Sequence, residues 1–372
     1  MALENTSAER IEELVRKQRA LYATGVTRDV DWRIAQLKAF NDGLKKWEKP
    51  LCEALWEDLH KSYEEAYMTE IGLVYGEIGE AIRKTRKWAR RRCRPTPLTG
   101  LPSSSYIVRE PLGCTLIVSP WNYPVQLLLN PLVGAVSAGC TAILKPSPYV
   151  PRISKVIEEF IADTFLEEYV AVVQGNRVVN GELFKHRYDL VFLTGSPSLG
   201  RIAMEAQAKY LTPMVLELGG KSANIYFDDC NFEQAIDGLQ VGILFNQGQV
   251  CCAGSRVFVQ DTIYDKFIEE AVKRFNAVKL GMPWDLATQM GSQINEGQAK
   301  KIMGYIEIGK AEGAKVACGG ERATEGALAN GAYVKPTLLV DVNNKMRVAQ
   351  EEIFGPVAVV IKFHDEDEVV RM

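Results

Sequence analysis

YDLVFLTGSPSLG (residues 188–200) joins an apolar, β-rich run to a glycine-bounded turn that opens a helix. The same rhythm extends to both sides. CTLIV (114–118), TAILK (141–145) and YVAVV (169–173) precede it, and PMVLEL (213–218) follows, with helical segments between them. Short apolar runs separated by helices are βαβ units, which build a parallel sheet covered on both faces. After Gly220 the alternation resumes with NIYF (224–227) and a helix carrying Phe232, Ala235, Ile236, Leu239 and Ile243 on one face. The loop FNQGQVCCAG (245–254), a strand RVFVQ (256–260) and a long helix from Tyr264 come next. A second α/β domain therefore starts near residue 219. Upstream, residues 4–92 read as mostly helix, with Trp32, Ala35, Leu37 and Leu44 leading into the Trp47–Leu59 segment. Pro95, Pro97, Gly100 and Pro102 then break the chain before an extended SSSYIVREPLG (103–113).

Composition sets the limits of function. The chain has 372 residues, 47% hydrophobic and 24% charged, as soluble globular proteins do. Single cores stop growing at roughly 250–300 residues, so two domains are expected. A formal net charge of −3 argues against a nucleic-acid surface. The basic stretch RKTRKWARRRCR (83–94) reads as a solvated helix face. The N-terminal MALENTSAERIEELVRKQ has no apolar core of a secretory leader, and VQLLLNPLVGAVSA (125–138) is too short to span a bilayer. A reducing, cytoplasmic setting is expected, in which free thiols persist. His60, His186 and His364 lie far apart and outside any Cys/His ligand spacing, so no metal is expected.

In open parallel sheets, ligands bind beyond the carboxyl ends of the strands. The residues found there are Asn122 in SPWNYP, Lys145 before PSP, Gly175, the GSPSLG turn, and Glu217 before GGKS. Singly, each has an ordinary structural explanation. A glycine turn is usually only a turn, and a strand-end lysine is usually a solvated terminus. Glu217 among apolar neighbours is read as a buried carboxylate, costly unless paired or functional. Cys251 and Cys252 pose the same choice, since free cysteines are mostly buried and inert. In company they suggest chemistry. A thiolate whose pKa is lowered by a nearby charge or dipole attacks a carbonyl. Asn122 and the Cys251 N–H could receive the oxyanion, a nicotinamide could accept hydride, and Glu217 could activate water.

PWNYP (120–124), LKPS (144–147), FLTGSPSLG (192–200), LELGGKS (216–222), FNQGQVCCAG (245–254) and EEIFGP (351–356) together resemble the NAD(P)-dependent aldehyde dehydrogenase superfamily, in the family's order and over most of the chain. The resemblance implies that Cys251 is the nucleophile and Cys252 a packing neighbour. It implies Glu217 as general base and Asn122 as oxyanion donor. Lys145 and Glu352 would hold cofactor ribose hydroxyls, with Phe354 beside the nicotinamide ribose. Trp121, Gly175, Gly195, Ser196, Gly200 and Leu218 would line the cofactor path. An NAD(P)-binding domain is implied over 1–94 and 111–218, an oligomerisation arm over 95–110 and a catalytic domain over 219–372. A homodimer or homotetramer is the form expected of the full-length protein.

Three features depart from a plain member. The family's fold runs on past the segment matching IKFHDEDEVVRM (361–372), so the catalytic domain is expected to be incomplete here. Residues from about 9 to 215 resemble the shorter class 3 type, and those from about 220 the tetrameric class 1/2 type. Pro148 stands where many members carry a glutamate that excludes NADP, so both NAD and NADP are expected to serve. The substrate implied is a small-molecule aldehyde, medium-chain or aromatic, with Tyr75, Trp121 and Phe245 as apolar lining candidates. Three alternatives stand beside oxidation by water: transfer of the acyl group to coenzyme A, which Glu217 disfavours; a catalytically inactive protein that only binds cofactor or keeps the fold for a structural role; and a thiol hydrolase without cofactor, which leaves Lys145, the GSPSLG turn and EEIFGP unexplained.

Overall fold

Each apolar run between residues 114 and 218 forms a strand. The computed structural model describes residues 3–372; residues 1 and 2, at the start of the expected cofactor domain, lie outside the described residues. The chain divides into two compact units, the first ending at Leu218 and the second spanning Gly219–Met372.

In the first unit, β1 (Arg92–Arg94) and β2 (Ser105–Ile107) form a small antiparallel ribbon. β3 (Cys114–Val118), β4 (Thr141–Lys145), β5 (Val170–Val172), β6 (Leu190–Gly195) and β7 (Met214–Leu218) follow. They make one parallel sheet in the order β5-β4-β3-β6-β7. The order reverses at β3, which places a switch point between β3 and β6. β3 and β4 are buried throughout because helices cover them. The helix Ala8–Ala23, started by Ser7 accepting from the Arg10 N–H at 3.2 Å, lays Ile11, Leu14 and Val15 against Leu116, Val118 and Ile143. Each such aliphatic side chain contributes roughly 1.5–3 kcal/mol on burial. β7 corrects the expectation of a sheet covered on both faces: as the edge strand it alternates in exposure, and Val215 is 39% exposed.

The long helix Val30–Leu59 starts at Asp29, which accepts from the Trp32 N–H at 2.8 Å, and stops at His60 in the left-handed region (φ 56°). A wide π-turn over Tyr67–Ile71 then leads into the helix Gly72–Ala89. That helix buries Val74, Ile78, Ala81 and Thr85 on one face. The basic side chains of residues 83–94 are all exposed, but the helix ends at Ala89 and Arg92–Arg94 is strand β1, so only the first part of this stretch is a helix face.

The second unit carries β8 (Ala223–Tyr226), β9 (Arg256–Gln260), β10 (Lys315–Cys318), β11 (Thr337–Val340) and β12 (Val357–Phe363), in the order β10-β11-β12-β9-β8. Only the β10–β11 pairing is antiparallel. Side-chain alternation along β12 builds two cores: Val357, Val359, Ile361 and Phe363 enter one, Ala358 and Val360 the other. Residues of the helices Phe232–Leu244 and Tyr264–Asn276 fill the second core, and residues of Glu296–Ala311 the first. Among the described residues, no helix is long and apolar enough to cross a membrane.

Candidate active site

In the first unit, the carboxyl ends of the five parallel strands deliver the expected residues to one edge of the sheet. β3 runs into Ser119, whose N–H donates to the Lys145 carbonyl at 3.1 Å. Three residues on, Asn122 is buried, with 3% exposure, and Trp121 before it is half-buried. Lys145 ends β4, and its ammonium is buried, donating to the Pro146 carbonyl at 2.6 Å. Burial pulls its pKa down to about 8. Gly175 follows β5 at φ 136°, where a Cβ would overlap Val179 and approach Asn5. β6 ends at Gly195, and Ser196 caps the helix Pro197–Ala208 by accepting from the Leu199 N–H at 3.3 Å. A Cβ on Gly200 would lie 3.1 Å from Leu218, so this glycine and this leucine pack the helix against β7. Glu217 sits beside Thr194 in the sheet register and is exposed, which corrects its reading as a buried carboxylate. The edge position of β7 leaves that face open.

In the second unit, the loop before β9 is held under backbone strain. Asn246 (φ 48°), Gln247 (φ 56°) and Gly248 (φ 72°) are all left-handed in succession. The buried Gln249 side chain ties the turn together. Its amide donates to the Asn246 carbonyl at 3.3 Å, and its oxygen accepts from the Ile294 N–H at 2.9 Å. Two residues later Cys251 is half-buried, while Cys252 is exposed. Cys252 is therefore no packing residue: successive side chains in this turn diverge, and only the first turns inward. The thiol of Cys251 also departs from the expectation of a lowered pKa. Burial pushes it up, the neighbouring Cys252 and the Glu352 carboxylate add to this, and the backbone N–H groups of residues 251 and 252 pull the other way.

Glu352 lies half-buried over the Gly219–Gly220 backbone. A Cβ on Gly219 would overlap its carboxylate, so only glycine admits it there. Burial raises its pKa, opposed by Lys301, the Gly220 N–H and Lys221. Its Oε1 is buried without a hydrogen-bond partner. Phe354 takes φ 62°, rare for an aromatic residue, and its carbonyl accepts from the Gln298 amide at 2.7 Å. Sequence reasoning passed over Lys221. Its ammonium is buried with no hydrogen-bond partner among the described residues, and burial lowers its pKa to about 7, opposed by the Glu352 carboxylate. The signal was in view, since the lysine lies in LELGGKS itself. Of the apolar lining candidates, Tyr75 donates to Glu48 at 2.8 Å and Phe245 is largely exposed. Among the described residues, no group of three or more His, Cys, Asp or Glu side chains could hold a metal ion.

A family model described as the aldehyde dehydrogenase family matches residues 1–372. The chain belongs to the aldehyde dehydrogenase family. The 4,4'-diaponeurosporen-aldehyde dehydrogenase of Staphylococcus aureus is 33% identical over 97% of this chain and 76% of its own length. Human aldehyde dehydrogenase family 3 member B1 is 34% identical over 96% of this chain and 74% of its own. A solved double mutant of Staphylococcus aureus betaine aldehyde dehydrogenase, in complex with NAD+, superposes with a TM-score of 0.92 at 32% identity, covering 99% of this chain and 75% of that one. The α/β architecture with its parallel sheets is thus that of solved aldehyde dehydrogenases, and the family 3 relative aligns along both units.

Proposed function

We propose that this chain oxidises an aldehyde to a carboxylic acid with NAD or NADP, using Cys251 as the nucleophile. The observation that supports this best is the seating of Cys251 itself. It follows a strained, glutamine-pinned turn, half-buried, within the motif order of an NAD+-binding family.

Residues of this chain suit such a cofactor. The Glu352 Oε1 is buried and lacks a donor, which a ribose hydroxyl would supply, and the buried Lys145 ammonium has protons to give a second ribose. Gly219 leaves room for that carboxylate, and Gly175 and Gly200 keep side-chain bulk away. Phe354, Trp121, Gly195, Ser196 and Leu218 complete the proposed cofactor contacts.

In this reading Cys251 gives its proton up to solvent water and its sulfur bonds to the aldehyde carbon. The carbonyl electron pair moves onto oxygen, where the Asn122 amide and the Cys251 N–H donate to it. A nicotinamide bound here would accept the hydride that this carbon gives up as the oxyanion's electron pair re-forms the C=O bond, leaving a thioester on Cys251. Glu217 takes a proton from water, and the hydroxide attacks the acyl carbon. The carbon–sulfur bond breaks, releasing the acid and restoring the thiolate. The unit ending at Leu218 is the proposed cofactor domain and the unit from Gly219 the catalytic one. Residues 95–110, which expose Leu98, Leu101, Tyr106, Ile107 and Val108, are the proposed arm between subunits.

The test is NAD(P)H formation, followed by absorbance over a panel of aldehydes, for this chain and its Cys251→Ala variant. Turnover that vanishes in the variant carries the proposal. Cofactor binding without turnover in either would move the reading to an inactive cofactor-binding protein.

A further inference from the structure

We propose that Lys61 and Glu70 are positioning residues for Asn122, clamping its loop from both sides. The inference rests on the reading of Asn122 as oxyanion donor. The two side chains form an ion pair at 2.7 Å with 2% and 0% exposure. Burying two charges is costly unless every donor and acceptor is used. Here they are used, and on one loop. The Lys61 ammonium donates to Glu70 Oε1, donates to the Asn122 carbonyl at 2.9 Å, and lies 4.1 Å from the centre of the Tyr123 ring. The other Glu70 oxygen accepts from the Val125 N–H at 2.7 Å and the Gln126 N–H at 3.3 Å. These are the leading amides of the helix Gln126–Ala138, whose positive end favours a carboxylate.

The local backbone explains how both groups arrive. The left-handed turn at His60 ends its helix and sends the chain inward at Lys61. The π-turn over Tyr67–Ile71 offsets Glu70 from an ordinary helical face, closing through the Gly72 N–H onto the Tyr67 carbonyl. A Cβ on Gly72 would lie 2.7 Å from that carbonyl oxygen, so glycine permits the wide turn. π-turns of this kind are rare and concentrate at functional sites. The pair fixes residue 122 through its own carbonyl and its neighbours through 123, 125 and 126. The Asn122 amide is then aimed by backbone held at both ends.

Two readouts test this. The first is hydrogen exchange of Glu70→Gln, where amides of residues 119–126 exchange faster while those of β3 and β4 keep their protection. Unchanged exchange in 119–126 overturns the clamp. The second is a double-mutant cycle with Asn122→Ala. Alone, Glu70→Gln lowers kcat by about tenfold to a hundredfold, with the KM for NAD+ little moved, as misplacing an oxyanion donor does. On the Asn122→Ala background it costs little more. An equal loss on both backgrounds overturns the positioning role. If the unaltered chain shows no turnover, the proposed function fails and the exchange experiment alone decides the clamp. If Glu70→Gln does not fold, the paired replacement Lys61→Met with Glu70→Leu keeps the volume, removes both charges and serves in its place.

Discussion

Gly248 and Gly355 meet backbone to backbone: a Cβ on Gly248 would overlap the carbonyl carbon and oxygen of Gly355. The turn that leads to Cys251 is thus braced against the loop that carries Glu352 and Phe354. Gly248 also sits at φ 72°, which other residues adopt only with strain. Gly248→Ala should destabilise the second unit by about 2 kcal/mol or more, the combined cost of the left-handed backbone and the overlap. Urea unfolding measures it, and a loss under about 0.5 kcal/mol, the scale of an exposed-surface change, would show that the loops are not braced.

Cys251 should be slow to react at neutral pH when nothing else is bound. Its folded pKa lies above the ordinary value of 9.0. The thiolate fraction therefore stays small through neutrality and grows only in alkali. Alkylation by iodoacetamide, followed on the peptide that carries Cys251, should show a midpoint above that value. A midpoint near 7 would mean that the resting chain already activates the sulfur.

Lys221 should cost the fold stability at neutral and acid pH. Its folded pKa is about 7 against an ordinary 10.5, so between these values the unfolded chain binds more protons. Its penalty is full below pH 7 and fades as pH rises toward 10.5. Lys221→Met should unfold at higher denaturant than the unaltered chain at pH ~6, with the gap narrowing by pH ~9. A gap that stays constant or widens with pH would sink the assignment.

NADP should support turnover within about tenfold of NAD, because half-buried Pro148 offers no carboxylate to repel a 2′-phosphate. The ratio of kcat/KM for the two cofactors measures this. A thousandfold preference for NAD would locate the discriminating charge elsewhere.

The strands were legible because burial on both faces writes itself as short, continuous apolar runs. CTLIV and TAILK became β3 and β4 residue for residue. Their order in the sheet put Asn122, Lys145, Gly175 and Gly195 at one edge without further information. Glu217 was misread because β7 is an edge strand, and apolar neighbours along a chain do not say which face is covered. Cys252 was misread because a turn, unlike a strand, gives no period for sides. The left-handed Asn246 and Gln247 carry no glycine signature. Lys61 and Glu70 looked like two more charges on helices. Their partners lie some sixty residues away in sequence, and only folding brings them to the loop.

The π-turn at Tyr67–Ile71 makes the chain sensitive to its own reading frame. A π-turn holds one residue more than an α-turn. Deleting a single position there would leave a regular helix but swing every upstream side chain by about 100° about the axis. Glu70 and Lys61 could no longer keep their places together.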